Sequence, residues 1–154
     1  MLGWKWLAGA GMMVVALGIG SALTGGTAAA DEVVVYKSPY CGCCAKWVDH
    51  MRANGFSVAV REVEDVAPVK AAHGVAPSLE SCHTAVVDGY VVEGHVPAGD
   101  VKRLLAERPR VRGLAVPGMP SGSPGMEGPT KDSYDVVAFD GVGRVSVFNR
   151  YPAR

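Results

Sequence analysis

The sequence has no excess of charge of either sign. Lysine and arginine number 15 against 15 acidic residues in 154, and no run of like charge occurs. That excludes the basic stripe a nucleic-acid partner would need. The apolar run from Trp6 to Ile19 is short for a full membrane span, which takes about 20 apolar residues. Preceded by Lys5 and followed by small residues ending Ala28-Ala29-Ala30, this run has the order of a secretory signal peptide cleaved after Ala30. An uncleaved N-terminal anchor is the alternative, and only then is membrane contact expected. Removing 30 residues from 154 leaves 124, residues 31–154, which suffices for one domain and not for two.

Cysteine is scarce too. The four present, Cys41, Cys43, Cys44 and Cys82, all follow the leader. An exported chain would ordinarily pair them in disulfides. Three thiols within four positions leave little loop to staple, however, and the neighbours Cys43 and Cys44 cannot comfortably bridge each other.

The rest of the chain reads as an α/β order. Val33-Val34-Val35-Tyr36 is a β-branched run suited to a strand covered on both faces. From Cys43 to Ala53, Cys44, Trp47, Val48 and Met51 recur at helical spacing before an Asn54-Gly55 stop. Phe56, Val58 and Val60 alternate as a second strand. Asp65 can cap a helix with Pro68 in its first turn, Val66, Val69 and Ala72 along one face, and His73-Gly74 at its end. Thr84 to Val87 and Tyr90 to Val96 form a hairpin about Asp88-Gly89. A third helix turns Val101, Leu104 and Leu105 inward and closes at Pro109. This order predicts a thioredoxin-like fold, a four-stranded mixed sheet flanked by helices, with an extra C-terminal hairpin at Tyr134–Phe139 and Val145–Phe148. Between them, residues 113–129 hold five glycines, four prolines and the echo Pro117-Gly118-Met119, Pro124-Gly125-Met126. We read them as an ordered functional loop rather than a slack linker.

Chemistry is concentrated in the thiols. Cys41 precedes a helix start, where free backbone N–H groups and the dipole acidify a thiol, and Cys41 and Cys44 have the C-x-x-C spacing of a redox pair. Cys43 argues for metal instead, because a third thiol inside the motif would divert mixed disulfides. Soft thiolates select Cu(I), zinc or iron–sulfur clusters, and outside the cytoplasm copper is the metal most in need of containment. Bridging thiolates make a cluster of several Cu(I) ions plausible. In a thioredoxin-like frame Ser81-Cys82-His83-Thr84 faces the helix-start cysteines, so Cys82 is expected within ligand reach and His83 as ligand or partner to one. His50 reads as exposed on the first helix, His73 as a charge at a helix C-terminus, and His95 as a surface or hydrogen-bonded side chain rather than a ligand. Met119 and Met126 read first as apolar plugs, with thioether donation to Cu(I) as the functional alternative.

These residues resemble a known family, the small exported thioredoxin-like metal-binding proteins linked to copper resistance and called CopG-like. The matching stretches are Tyr36–Cys44, Ser81–Tyr90, Glu93–Pro97 and Gly113–Pro120, with the C-x-C-C motif, the Ser-Cys-His-Thr segment and the Pro-Gly-Met loop in the family's order. The resemblance implies copper binding through Cys41, Cys43, Cys44 and Cys82 in the periplasm, with redox activity between Cu(I) and Cu(II). Copper ions and other periplasmic copper-handling proteins are the partners it implies. A thiol–disulfide oxidoreductase using Cys41 and Cys44 is the alternative, and a zinc-binding structural module a third reading. Zinc is disfavoured because all four ligands would crowd one position instead of pinning distant loops.

Overall fold

The computed structural model describes residues 32–153, so the expected leader and its cleavage point lie outside the described residues. The elements are β1 (Glu32–Lys37), α1 (Gly42–Ala53), β2 (Ser57–Glu62), α2 (Ala67–Ala72), β3 (Thr84–Val87), β4 (Tyr90–Glu93), α3 (Ala98–Glu107), β5 (Gly113–Ala115), β6 (Tyr134–Phe139) and β7 (Val145–Tyr151). Among them no helix is long and apolar enough to cross a membrane.

All the strands join one seven-stranded sheet in the order β2-β1-β3-β4-β5-β6-β7. This corrects the expectation of a four-stranded sheet, while the extra C-terminal hairpin forms as β6 and β7. The reason lies in Gly113-Leu114-Ala115, part of the glycine-rich segment taken above for loop. These residues pair with Val91–Glu93 in parallel and with Val137–Phe139 antiparallel, welding the terminal hairpin to the sheet. Three residues are too short to show strand periodicity, and a leading glycine reads as loop.

Alternation along the strands divides the core in two. Val33, Val35, Ala85, Val87, Val92, Leu114, Val136 and Ala138 face α1 and α3, meeting Trp47, Val48, Met51, Val101 and Leu104. Their sequence neighbours Val91, Ala115, Val137 and Phe139 turn to the other face, where Val75 and Leu79 cover them. α2 departs from its expected apolar face: Ala72 is exposed and the one buried residue of the helix is Lys70.

Gly113 is needed where it stands, because a Cβ there would lie 1.9 Å from the Val91 carbonyl oxygen. Gly113→Ala should therefore force β5 off β4 and cost about 1–3 kcal/mol or more, as overpacking does. A thermal melt checks this, and an unchanged midpoint would contradict it.

Candidate metal centre

The sheet topology brings four chain segments to one end. β1 and β3 are antiparallel with Tyr36 opposite Thr84, so the chain leaving β1 toward Cys41 and the chain entering β3 from Cys82 share an edge. Thr84 opposes Glu93 in the next pairing, and Glu93 opposes Ala115 in the one after. His95 and the loop beyond residue 115 therefore emerge beside the same cysteines.

Cys41 is the N-cap of α1, its sulfur accepting from the backbone N–H of Cys44 at 3.3 Å. Cys41 and Cys44 are joined by a disulfide, while Cys43 and Cys82 are free thiols. Cys43 Sγ lies 3.4 Å from Cys41 Sγ and 3.9 Å from Cys82 Sγ. All four sulfurs fall within 4.8 Å of one another. Tyr40, next to Cys41, is 93% exposed, so the cluster opens toward solvent on that side.

A second set of donors shares Cys82. Its sulfur is 3.3 Å from His83 Nδ1 and 2.9 Å from His95 Nε2, and both imidazoles are fully buried. His83 packs on Trp47 with ring centroids 4.5 Å apart and meets His95 edge-on at 5.2 Å. His83 Nε2 has no hydrogen-bond partner, an uncommon state for a buried nitrogen. Sequence reasoning undervalued His95, since nothing local distinguishes it. Its position follows only from the β3–β4 pairing.

Protonation favours donors over cations here. Burial, then the neighbouring His95 and Lys70, hold His83 well below the usual imidazole range. Burial lowers His95 as well, against the Pro124 carbonyl and Glu127, which raise it. Burial, followed by Cys43, pushes the Cys82 thiol up to about 12. The metal-free Cys82 is thus a protonated thiol at neutral pH, and a metal must displace its proton.

The glycine-rich loop is ordered against this centre. The Pro124 carbonyl is 2.7 Å from His95 Nδ1, a contact that places the Nδ1 proton on that side and leaves the Nε2 lone pair toward Cys82. Gly125 permits the approach. At φ +87°, a Cβ on it would stand 2.6 Å from the Cys43 carbonyl and 3.3 Å from His95 Nδ1. Gly125→Ala should lift the loop and free the His95 ring, whereas Gly128→Ala, with open space around it, should not. Nitrogen-15 NMR of the imidazole tautomers reads the difference, and a fixed His95 tautomer in both variants would refute it. Met119 is 52% exposed and Met126 half-buried.

Of the other two histidines, one meets its expectation and one does not. His73 does close α2. His50 is half-buried rather than exposed, and its Nε2 accepts the Ala98 N–H at 3.0 Å, capping α3 where Pro97 offers no side-chain oxygen.

Residues 79–126 match the family described as "Protein of unknown function, DUF411". No curated protein matches the chain. A solved structure of a copper resistance protein, CopG in its Form 2, is 48% identical, with a TM-score of 0.76, covering 80% of this chain and 99% of that one. Form 1 of CopG is also 48% identical, with a TM-score of 0.75, covering 79% and 97%. The chain belongs to the CopG family. Within this CopG-family chain, the four cysteines singled out from sequence come together with His83, and His95 joins them. Sulfur and neutral imidazole donors of this kind suit a soft or borderline metal.

Proposed function

We propose that this protein captures Cu(I) in the thiolates of Cys41, Cys43, Cys44 and Cys82, with His83 and His95 beside them, and thereby contributes to copper resistance. The observation that carries the reading is the convergence of four sulfurs within 4.8 Å, one of them brought from a segment 38 positions away from Cys44. Thiolates that close can bridge, so a cluster of several Cu(I) ions is the form we infer. The copper is cargo, and its partners are the ions themselves and other copper-handling proteins of the periplasm. Export through a leader cleaved after Ala30, which leaves a thioredoxin-like domain of residues 31–154, belongs to the same reading.

Redox activity fits this arrangement. Closing Cys41 and Cys44 into a disulfide releases two electrons and two protons, enough to reduce two Cu(II) to Cu(I). Full loading then requires the reduced dithiol, since the disulfide withholds two of the four sulfurs.

The Cys41–Cys44 disulfide also favours the second reading, a thiol–disulfide oxidoreductase acting on partner proteins. One experiment separates the two. The mature domain is purified anaerobically and reduced, its metal is counted by elemental analysis, and disulfide reductase activity is assayed with and without copper. Stoichiometric copper without reductase activity is expected. Robust activity in Cys43→Ser, with no copper bound by the wild type, would establish the oxidoreductase instead.

A further inference from the structure

A buried ion pair lies behind the metal centre and belongs to none of its ligands. Lys70, on α2, is 3% exposed and Glu93, at the end of β4, is 0% exposed. Lys70 Nζ donates to Glu93 Oε1 at 2.5 Å. Such a pair is a poor source of stability, because desolvating two charges offsets their attraction, and apolar residues of the same volume often serve as well or better. Its presence calls for another account.

The carboxylate supplies one. Glu93 Oε1 also accepts the backbone N–H of Ser81 at 2.7 Å, and Oε2 accepts the hydroxyl of Thr84 at 2.6 Å. Lys70 reaches the same hydroxyl at 3.2 Å. Glu93 thus grips the chain immediately before Cys82 and immediately after His83. No regular element holds residues 81–83 themselves, which precede β3. The segment's other contacts are the Ser81 Oγ donation to the Gly118 carbonyl, the Gly94 N–H donation to the His83 carbonyl at 3.0 Å, the Cys82 sulfur against His95 and Cys43, and the His83 ring on Trp47.

We propose that the Lys70–Glu93 pair is a positioning device: its hydrogen bonds to Ser81 and Thr84 hold Cys82 and His83 at the distances the metal centre requires. Glu93 is the bracket, and Lys70, bonded to both Glu93 and Thr84, holds that carboxylate in place. The inference rests on the reading of Cys82 as a copper ligand, and deepens it. Partners that orient metal ligands are typically worth 10- to 100-fold in affinity, so loosening the bracket should show at the metal.

The test compares two double variants of the full mature chain. Lys70→Met with Glu93→Leu removes the bracket and replaces it by apolar volume. Lys70→Met with Glu93→Gln removes the charges but keeps an amide able to accept from Ser81 and donate to Thr84. Two quantities are read. One is Cu(I) affinity by competition with a chromogenic Cu(I) chelator. The other is the rate at which iodoacetamide alkylates Cys82 relative to Cys43 in reduced, metal-free protein, resolved by peptide mass spectrometry. The Met/Leu variant should lose about 10- to 100-fold in affinity and alkylate Cys82 several-fold faster, while the Met/Gln variant stays near wild type in both. A folded Met/Leu variant with wild-type values overturns the proposal, and so does a Met/Gln variant that falls equally far. If Met/Leu does not fold, Thr84→Val decides: faster Cys82 alkylation supports the bracket, and an unchanged rate rejects it. A wild type that binds no copper defeats the copper reading, whereas the alkylation rates still judge the bracket.

Discussion

Cys82→Ser should abolish high-affinity copper binding while leaving the fold in place. Cys82 is half-buried at the open end of the sheet rather than in either apolar cluster, so exchanging sulfur for oxygen there leaves both faces of the core intact. The loss at the site is larger. Cys82 is the one residue common to the four-sulfur group and to the group formed with His83 and His95, so its removal disconnects the two. We expect Cu(I) affinity to fall by more than about 100-fold, beyond what removing an orienting partner costs. Competition titration with unchanged circular dichroism is the check, and a variant that binds copper like the wild type would rule Cys82 out as a ligand. In the wild type, apparent affinity should rise with pH, because metal must displace the proton that burial holds on the Cys82 thiol.

The second large effect is on stability. Lys70→Met alone leaves the Glu93 carboxylate buried without its cation, and breaking a buried pair in this way costs about 3–5 kcal/mol. For a domain of this size that corresponds to a fall in Tm of about 10–20 °C. The sign of its pH dependence follows from Glu93. Burial raises its carboxyl above the usual range, with hydrogen bonds from Lys70 and Thr84 and the charge of Lys70 pulling it down. A group that holds its proton more tightly when folded favours the folded state below its unfolded pKa and ceases to do so as pH rises through its folded pKa. Removing Lys70 takes away the counterweight, so the folded pKa rises further in the variant. The Tm gap between wild type and Lys70→Met should therefore be narrow near pH 4, close to the unfolded value of about 4.3, and widen toward pH 7. Melts across that range test it, and a gap that narrows toward neutrality would contradict the assignment. The single variant measures the cost of an unpaired charge. The double variants above remove the charges together and so report on geometry.

Much of this was legible along the chain. The run Val33–Tyr36, the helical spacing of Cys44, Trp47, Val48 and Met51, and the Asp88-Gly89 turn each carry their signal within a few residues, and each forms the element expected of it. Cys43 was informative for the same reason, since three thiols in four positions constrain chemistry before any fold is known. β5 was not legible, because a three-residue strand led by glycine acquires its conformation from the neighbours it pairs with. α2 misled in another way: periodicity assigns apolar residues to the core, and here the residue that turns inward is a lysine with a carboxylate waiting for it 23 positions ahead.

The sequence by itself determined the three-thiol motif Cys41, Cys43 and Cys44 and the helix start that presents it, because local spacing decides which side chains lie there, whereas strand pairing brings in Cys82. Only the tertiary structure decided that His95 stands 2.9 Å from Cys82, that Pro124 orients it, and that Glu93 holds the segment carrying Cys82 and His83. Those contacts arise at one end of the sheet, where β1, β4 and β5 finish and β3 begins. Strand order and register set that juxtaposition, and neither is written in any single stretch of chain.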